Sequence, residues 1–207
     1  MSKSERMRYL EHIPSPFSLI DYAARLENIL EKQPGGAALT ILKNLIQRDR
    51  TILYEMIARF VPMGTTAEII AFLQAFIAEE KDGDNTISEE GEEAVEKIAY
   101  AFLKKGSELM YAGAYLDAAA IAFAIIIAIE PELCLVYDEG WTYQMVIANA
   151  FEFLTQISNQ HISTDTFDSL LQMANGFYNG RRQEDRYFDH KWEDAILIFK
   201  NRGSHKS

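Results

Sequence analysis

Apolar residues recur at three- and four-residue spacing along most of this chain, in segments separated by proline, glycine and acidic breaks. After Pro14-Ser15-Pro16 the pattern predicts a helix over residues 17–30, which Pro34-Gly35-Gly36 breaks. A second helix is expected over about 37–47 and a third over 49–60, with Ile52, Leu53, Met56, Ile57 and Phe60 on its inner face. Pro62-Met63-Gly64 is the next break, and Thr65 or Thr66 suits the N-cap of a helix running from Ala67 to Ala78. Beyond an acidic stretch, a helix from Ala94 to Tyr111 carries Val95, Ile98, Phe102 and Leu109 on one stripe. Further helices are expected over about 141–157, 165–178 and from Lys191 to Asn201. Nothing strand-like of useful length is present. The fold class is therefore all-α, an irregular helical bundle or short superhelix built of antiparallel helical hairpins.

Residues 99–131 are the most informative segment. A glycine in mid-helix costs roughly 1 kcal/mol relative to alanine, so Gly106 implies a neighbouring helix that passes too close for a side chain. Gly113 ends that helix as a C-cap and Tyr115 begins the next. The stretch from Asp117 to Ile129 is apolar on every face and must be enclosed by other helices. It holds about a dozen apolar residues, where a membrane span needs roughly 20. Pro131 stops it.

Phe102, Gly106, Leu109, Gly113, Tyr115 and Ala118 match the large, small, large, glycine, aromatic and small positions of a tetratricopeptide repeat, so residues 94–131 resemble one such hairpin. The closing proline comes one residue later than that pattern expects. The resemblance implies a scaffold whose first helix lines a binding side, which would set Lys104, Ser107 and Tyr111 against a protein or peptide partner. Trp192 and Ala195 repeat the spacing of Tyr115 and Ala118 and hint at a second, degenerate unit, but no 34-residue period runs through the chain. The stretch from Lys104 through Tyr137-Asp138-Glu139-Gly140 to Leu154 also resembles helical regions that accompany SWIM-type zinc fingers. The Cys-x-Cys and Cys-x-His ligands of those fingers are absent, so no zinc or nucleic-acid role carries over. The expected organisation is a flexible N-terminus over 1–14, a helical part over 15–79, an acidic linker over 80–91 and a repeat-like part over 92–202, forming one continuous domain.

A hydrophobic content of 48% in 207 residues supplies a core that needs neither disulfides nor metals. The single Cys134, flanked by Leu133, Leu135 and Val136, reads as a buried inert thiol and fits a reducing compartment. The N-terminus has no apolar signal region, which points to the cytoplasm. The net charge of −11 is concentrated in one stretch, where Glu79, Glu80, Asp82, Asp84, Glu89, Glu90, Glu92, Glu93 and Glu96 face only Lys81 and Lys97 nearby. Such a chain repels phosphate backbones, which argues against nucleic acid as the partner. Arg181-Arg182 reads as part of a solvated loop.

Within that acidic stretch, Glu80 to Gly91 resembles an EF-hand calcium loop. Calcium takes six to eight oxygens, and Glu80, Asp82, Asp84, the Thr86 carbonyl and Ser88 would fill the first five ligand positions, with Ile87 as the inward aliphatic residue. Asn85 replaces the turn glycine, Glu80 replaces an aspartate, and Gly91 stands where the bidentate glutamate belongs. The alternative is an acidic linker in which Thr86 and Glu89 form a capping box. The two readings are a weak calcium site at Asp82, Asp84, Thr86 and Ser88, or no cofactor.

Other chemistry is sparse. His12, His161, His190 and His205 are scattered without metal-ligand spacing. Gly35-Gly36 lacks the context of a phosphate loop. Tyr137, Trp141 and Tyr143, around Asp138-Glu139-Gly140, read as packing anchors. The leading expectation is a scaffold for a protein or peptide and not an enzyme. A structural domain that self-associates is the alternative, and an enzyme using Asp165, Asp168, Glu184, Asp185 or Asp189 comes third.

Overall fold

Side-chain caps fix several helix starts among the described residues, and their chemistry is local. The computed structural model describes Asn28 and residues 36–135, 141–180 and 187–204. Helix α1 (Gly36–Arg48) is followed at once by α2 (Arg50–Phe60), whose N-cap Asp49 accepts the N–H groups of Thr51 and Ile52. Helix α3 (Thr66–Glu80) starts on Thr65, which accepts the Glu68 N–H, while the Glu68 carboxylate reaches back to the Gly64 N–H at 2.7 Å. Helix α4 (Glu89–Tyr111) starts on Ser88 and carries Glu89, Glu90 and Glu92 in its first turn, where the helix dipole favours negative charge. Then follow α5 (Tyr115–Ile129), a 3-10 turn (Glu130–Leu135), α6 (Trp141–Ser158), α7 (Thr164–Gly180) and α8 (Asp189–Ser204). No strand occurs among the described residues, and the fold is all-α.

The turn between α4 and α5 is a Schellman motif. The Gly113 N–H donates to the Met110 carbonyl, the Ala114 N–H to the Leu109 carbonyl, and Gly113 has φ +82°. Helix α5 then returns against α4. Gly106 sits where the two cross, because a Cβ there would lie 3.7 Å from the Ala118 carbonyl oxygen and 3.1 Å from Cε1 of Phe153 in α6. The glycine expected from its cost in mid-helix thus marks a real close approach, made by the Phe153 ring, while the Ala118 carbonyl lies at ordinary contact distance.

Helix α5 is the centre of the fold. It packs against α3, α4, α6, α7 and the 3-10 turn, and every residue from Ala118 to Ile129 except Ala120 and Ile127 is buried. The buried apolar residues from Ile46 in α1 to Phe199 in α8 form a single cluster. Helices α4 and α6 lie side by side and parallel, since Asn149 donates to the Tyr100 hydroxyl at 2.6 Å and, further along both helices, Phe153 meets Gly106.

A buried carboxylate fastens the last helix. Glu130, at the end of α5, accepts the Phe188 N–H at 2.8 Å and the Trp192 indole N–H at 3.3 Å. The α8 N-terminus supplies both donors, so the carboxylate also faces the positive end of a helix dipole. The Trp192 ring stacks on Phe123 of α5 at 5.6 Å and meets Phe151 of α6 edge-on at 5.5 Å. Aromatic contacts of this geometry add to the burial itself.

The observed helices differ from the expected ones in a few particulars. Phe60 does not face inward. It is 48% exposed, while Tyr54, Ile57, Ala58 and Val61 fill the core at that end of α2. The expected features at residues 1–14, 17–27, 29–30 and 34–35, at Tyr137 to Gly140, and at Arg181-Arg182, Glu184, Asp185, His12 and His205, together with the Cys134 side chain, lie outside the described residues.

Candidate functional site

Lys104, Ser107 and Tyr111 share one stripe of α4, spaced as helix neighbours three and four residues apart. Lys104 is exposed and Tyr111 is 82% exposed, whereas Ser107 is half-buried and its hydroxyl donates to the Leu103 carbonyl. Helix α2 is tied in beside this stripe. Arg59 pairs with Glu108, and the Lys105 ammonium donates to the Val61 carbonyl at 2.7 Å, where a cation suits the α2 C-terminus. The Arg59 guanidinium lies 5.9 Å from the ring of Phe60. These ties bring the exposed Phe60 to the end of α4 that carries Tyr111, an association the sequence did not signal because the two elements are far apart in the chain.

The acidic loop is a closed turn held by its own side chains. Lys81 and Ile87 form an antiparallel bridge, and Asn85 adopts φ 62°. Asp82 accepts the N–H groups of Asp84 and Thr86 and the Thr86 hydroxyl, all within 2.9 Å, and those bonds hold its carboxyl below the usual range. The Thr86 carbonyl accepts the Asp82 N–H, Ser88 caps α4 by accepting the Gly91 N–H, and Asp84 is exposed. The expected capping box of Thr86 with Glu89 is not formed. Thr86 is turned to Asp82, and Ser88 takes the cap two residues later. Glu80 closes α3 and points at Arg50 instead of the loop.

Gly91 has a steric reason to be glycine. A Cβ there would lie 3.0 Å from Cγ2 of the buried Ile87 and 3.3 Å from Cβ of Glu80. The position that would hold the bidentate glutamate is occupied by packing. Among the described residues no three His, Cys, Asp or Glu side chains stand together in a way that could hold a metal. Because Gly91 cannot supply the bidentate carboxylate that anchors the ion, calcium at 1 mM is expected to leave the melting temperature almost unchanged relative to chelator. A site with a dissociation constant of about 10 µM would add roughly 2.7 kcal/mol at that concentration. A calcium-dependent rise of several degrees, abolished by Asp82→Ala with Asp84→Ala, would show that the loop does bind the ion.

Sequence reasoning missed a polar cluster that joins α2 to α3. Arg50 of α2 pairs with both Glu79 and Glu80 of α3 at 2.7 Å, and the Tyr54 hydroxyl donates to Glu79 at 3.0 Å. Burial raises the Glu79 and Glu80 carboxyls, and Arg50 only partly opposes it. Burial, reinforced by Glu79, also pushes the Tyr54 hydroxyl up. The Arg50 guanidinium lies 5.6 Å from the Tyr54 ring and 5.4 Å from that of Phe76, so the cluster acts as a clamp between α2 and α3. Lys81, next to Glu80 in the chain, pairs with the distant Glu132 at 2.6 Å and joins the start of the loop to the 3-10 turn.

Of the aromatics read as packing anchors, Tyr143 is one. It is fully buried, and burial with Glu92 and Glu132 pushes its hydroxyl up. Trp141 is not an anchor, being 62% exposed. Asp165 and Asp168 are exposed near the start of α7, and Asp189 opens α8, so the structure brings these acids to two separate helix starts.

The chain matches no protein-family model, no curated protein and no solved structure. Among the described residues no helix is long and apolar enough to cross a membrane.

Proposed function

We propose that this protein is a helical scaffold that holds a protein or peptide partner on the outer stripe of α4, through Lys104, Ser107 and Tyr111. The observation that carries this reading is Tyr111, a large side chain left 82% exposed at the end of a rigid helix, with Phe60 of α2 at the same end. Tyrosine gives large contact area at low entropic cost and is enriched where partners bind tightly. Lys104 adds a charge about two turns from that anchor, and Ser107, one turn away, keeps its hydroxyl oxygen as an acceptor. The likeness of residues 94–131 to a tetratricopeptide hairpin supports the same choice of helix. A reducing cytoplasm suits the single cysteine.

The test is affinity capture of the full chain from its own cells, compared quantitatively with a Lys104→Glu, Tyr111→Ala variant. Both residues are exposed, so the variant should melt like the parent. A partner recovered by the parent and lost from the variant is expected. Recovery of the same proteins by both would contradict the assignment of this stripe.

A further inference from the structure

The other end of α4 presents a different surface. Glu89, Glu93, Glu96 and Tyr100 form one stripe of that helix, and Trp141, Met145 and Asn149 form one stripe of α6. The hydrogen bond from Asn149 to Tyr100 joins the two stripes at their inner ends. Because α4 and α6 run parallel, the outer ends lie side by side, with the carboxylates on one helix and the apolar pair on the other. Trp141 is 62% exposed and Met145 is 54% exposed.

The electrostatics of this surface are negative. Among the described residues, only Glu93 of these three carboxylates forms an ion pair, with Lys97 at 3.7 Å, and both members of that pair are more than half exposed. An exposed pair of this kind is worth little. The two helix N-termini contribute roughly half a positive charge each, and the exposed Glu90 adds further negative charge in the first turn of α4. A partner with carboxylates would be repelled here, whereas a lysine or arginine can reach the glutamates or the face of Trp141. A thioether beside an exposed indole also accepts aliphatic side chains of varied shape.

We infer that the paired N-terminal ends of α4 and α6 dock a cationic amphipathic peptide segment, its apolar side chains on Trp141 and Met145 and its basic ones on Glu89, Glu93 and Glu96. This surface is separate from the Tyr111 stripe. From Glu93 to Tyr111 the α4 axis advances about 27 Å at 1.5 Å per residue. The inference therefore stands or falls independently of the proposed function.

Tryptophan emission tests it directly. The chain has two tryptophans and Trp192 is fully buried, so a change on adding a tryptophan-free peptide reports Trp141. The probe is a Lys/Leu peptide of about 18 residues, five helical turns. A Glu/Leu peptide of the same pattern and a Lys/Ser peptide of the same charge are the comparisons. Saturable binding with a blue shift is expected for the Lys/Leu peptide alone. Met145→Asp, and separately Glu89→Lys with Glu93→Lys, should each weaken it by about tenfold or more. Lys104→Glu with Tyr111→Ala should leave it unchanged. Equal binding of either comparison peptide, or indifference to the Met145 and glutamate variants, would overturn the inference. So would sedimentation showing a homodimer that Met145→Asp dissociates, which would give the face to a second copy of the chain.

Discussion

Replacing Ile126 with aspartate should leave the chain unable to fold. Ile126 is fully buried in α5, whose neighbours on all sides are other helices. An unpaired carboxylate there has neither water nor a cation, a cost of several kcal/mol or more. The total stability of a domain is only about 5–15 kcal/mol. The expected result is an insoluble or non-cooperative product in a thermal melt. A conservative Ile126→Val should fold and lose only about 0.5–1.5 kcal/mol, which separates the buried charge from any general intolerance of the position. A soluble aspartate variant with a near-native transition would contradict the placement of α5.

The second large effect is expected at Trp192. Trp192→Ala removes the stack on Phe123 and the edge contact with Phe151, and deprives the buried Glu130 of its indole donor. Truncation of a core aromatic to alanine costs about 3–5 kcal/mol. At about 2–4 °C per kcal/mol for a chain of this size, the melting temperature should fall by roughly 6–20 °C. Trp192→Phe keeps much of the ring packing and loses only the indole N–H, so its fall should be clearly smaller. Alanine and phenylalanine variants that both melt within a degree or two of the parent would show that α8 is not held by this contact.

The two predictions come from features of unequal legibility. Helix α5 could be read in the sequence because an all-apolar helix too short for a membrane has only one solution, which is enclosure. Gly106 was legible for a similar reason, since its cost in mid-helix demanded a close neighbour, although only the folded chain shows that Phe153 of α6 supplies it. The Schellman turn followed from Gly113 in the same way. Glu130 and Trp192 are 62 residues apart, and no local pattern links a glutamate at one helix end to an indole at another.

Local competition explains the smaller differences. Thr86 and Ser88 are both sound caps by residue type, and Asp82, which lies outside the capping pattern, decides between them by binding Thr86. Phe60 fits the apolar spacing of α2, but the helix ends there and the core beyond it is filled by Val61. Periodicity identifies a helix face well in mid-helix and poorly in the last turn, where the following residue leaves the helix and competes for the same space. The candidate stripe of Lys104 and Tyr111 was legible as exposed positions. The arrival of Phe60 beside it, and the pairing of Trp141 and Met145 with the α4 glutamates, depend on how distant helices pack.

Native-state hydrogen exchange tests the central claim, that one core organised around α5 carries the surfaces described. Exchange free energies range from near zero at frayed ends up to the global stability in the core. The amides of α5 from Ala119 to Ile129 should be the slowest in the chain and should exchange only with global unfolding, together with the facing amides of α4 and α6. If α5 instead exchanged through a lower-energy opening while α1 and α2 stayed protected, it would not be the centre of the fold, and the account would be wrong at its base.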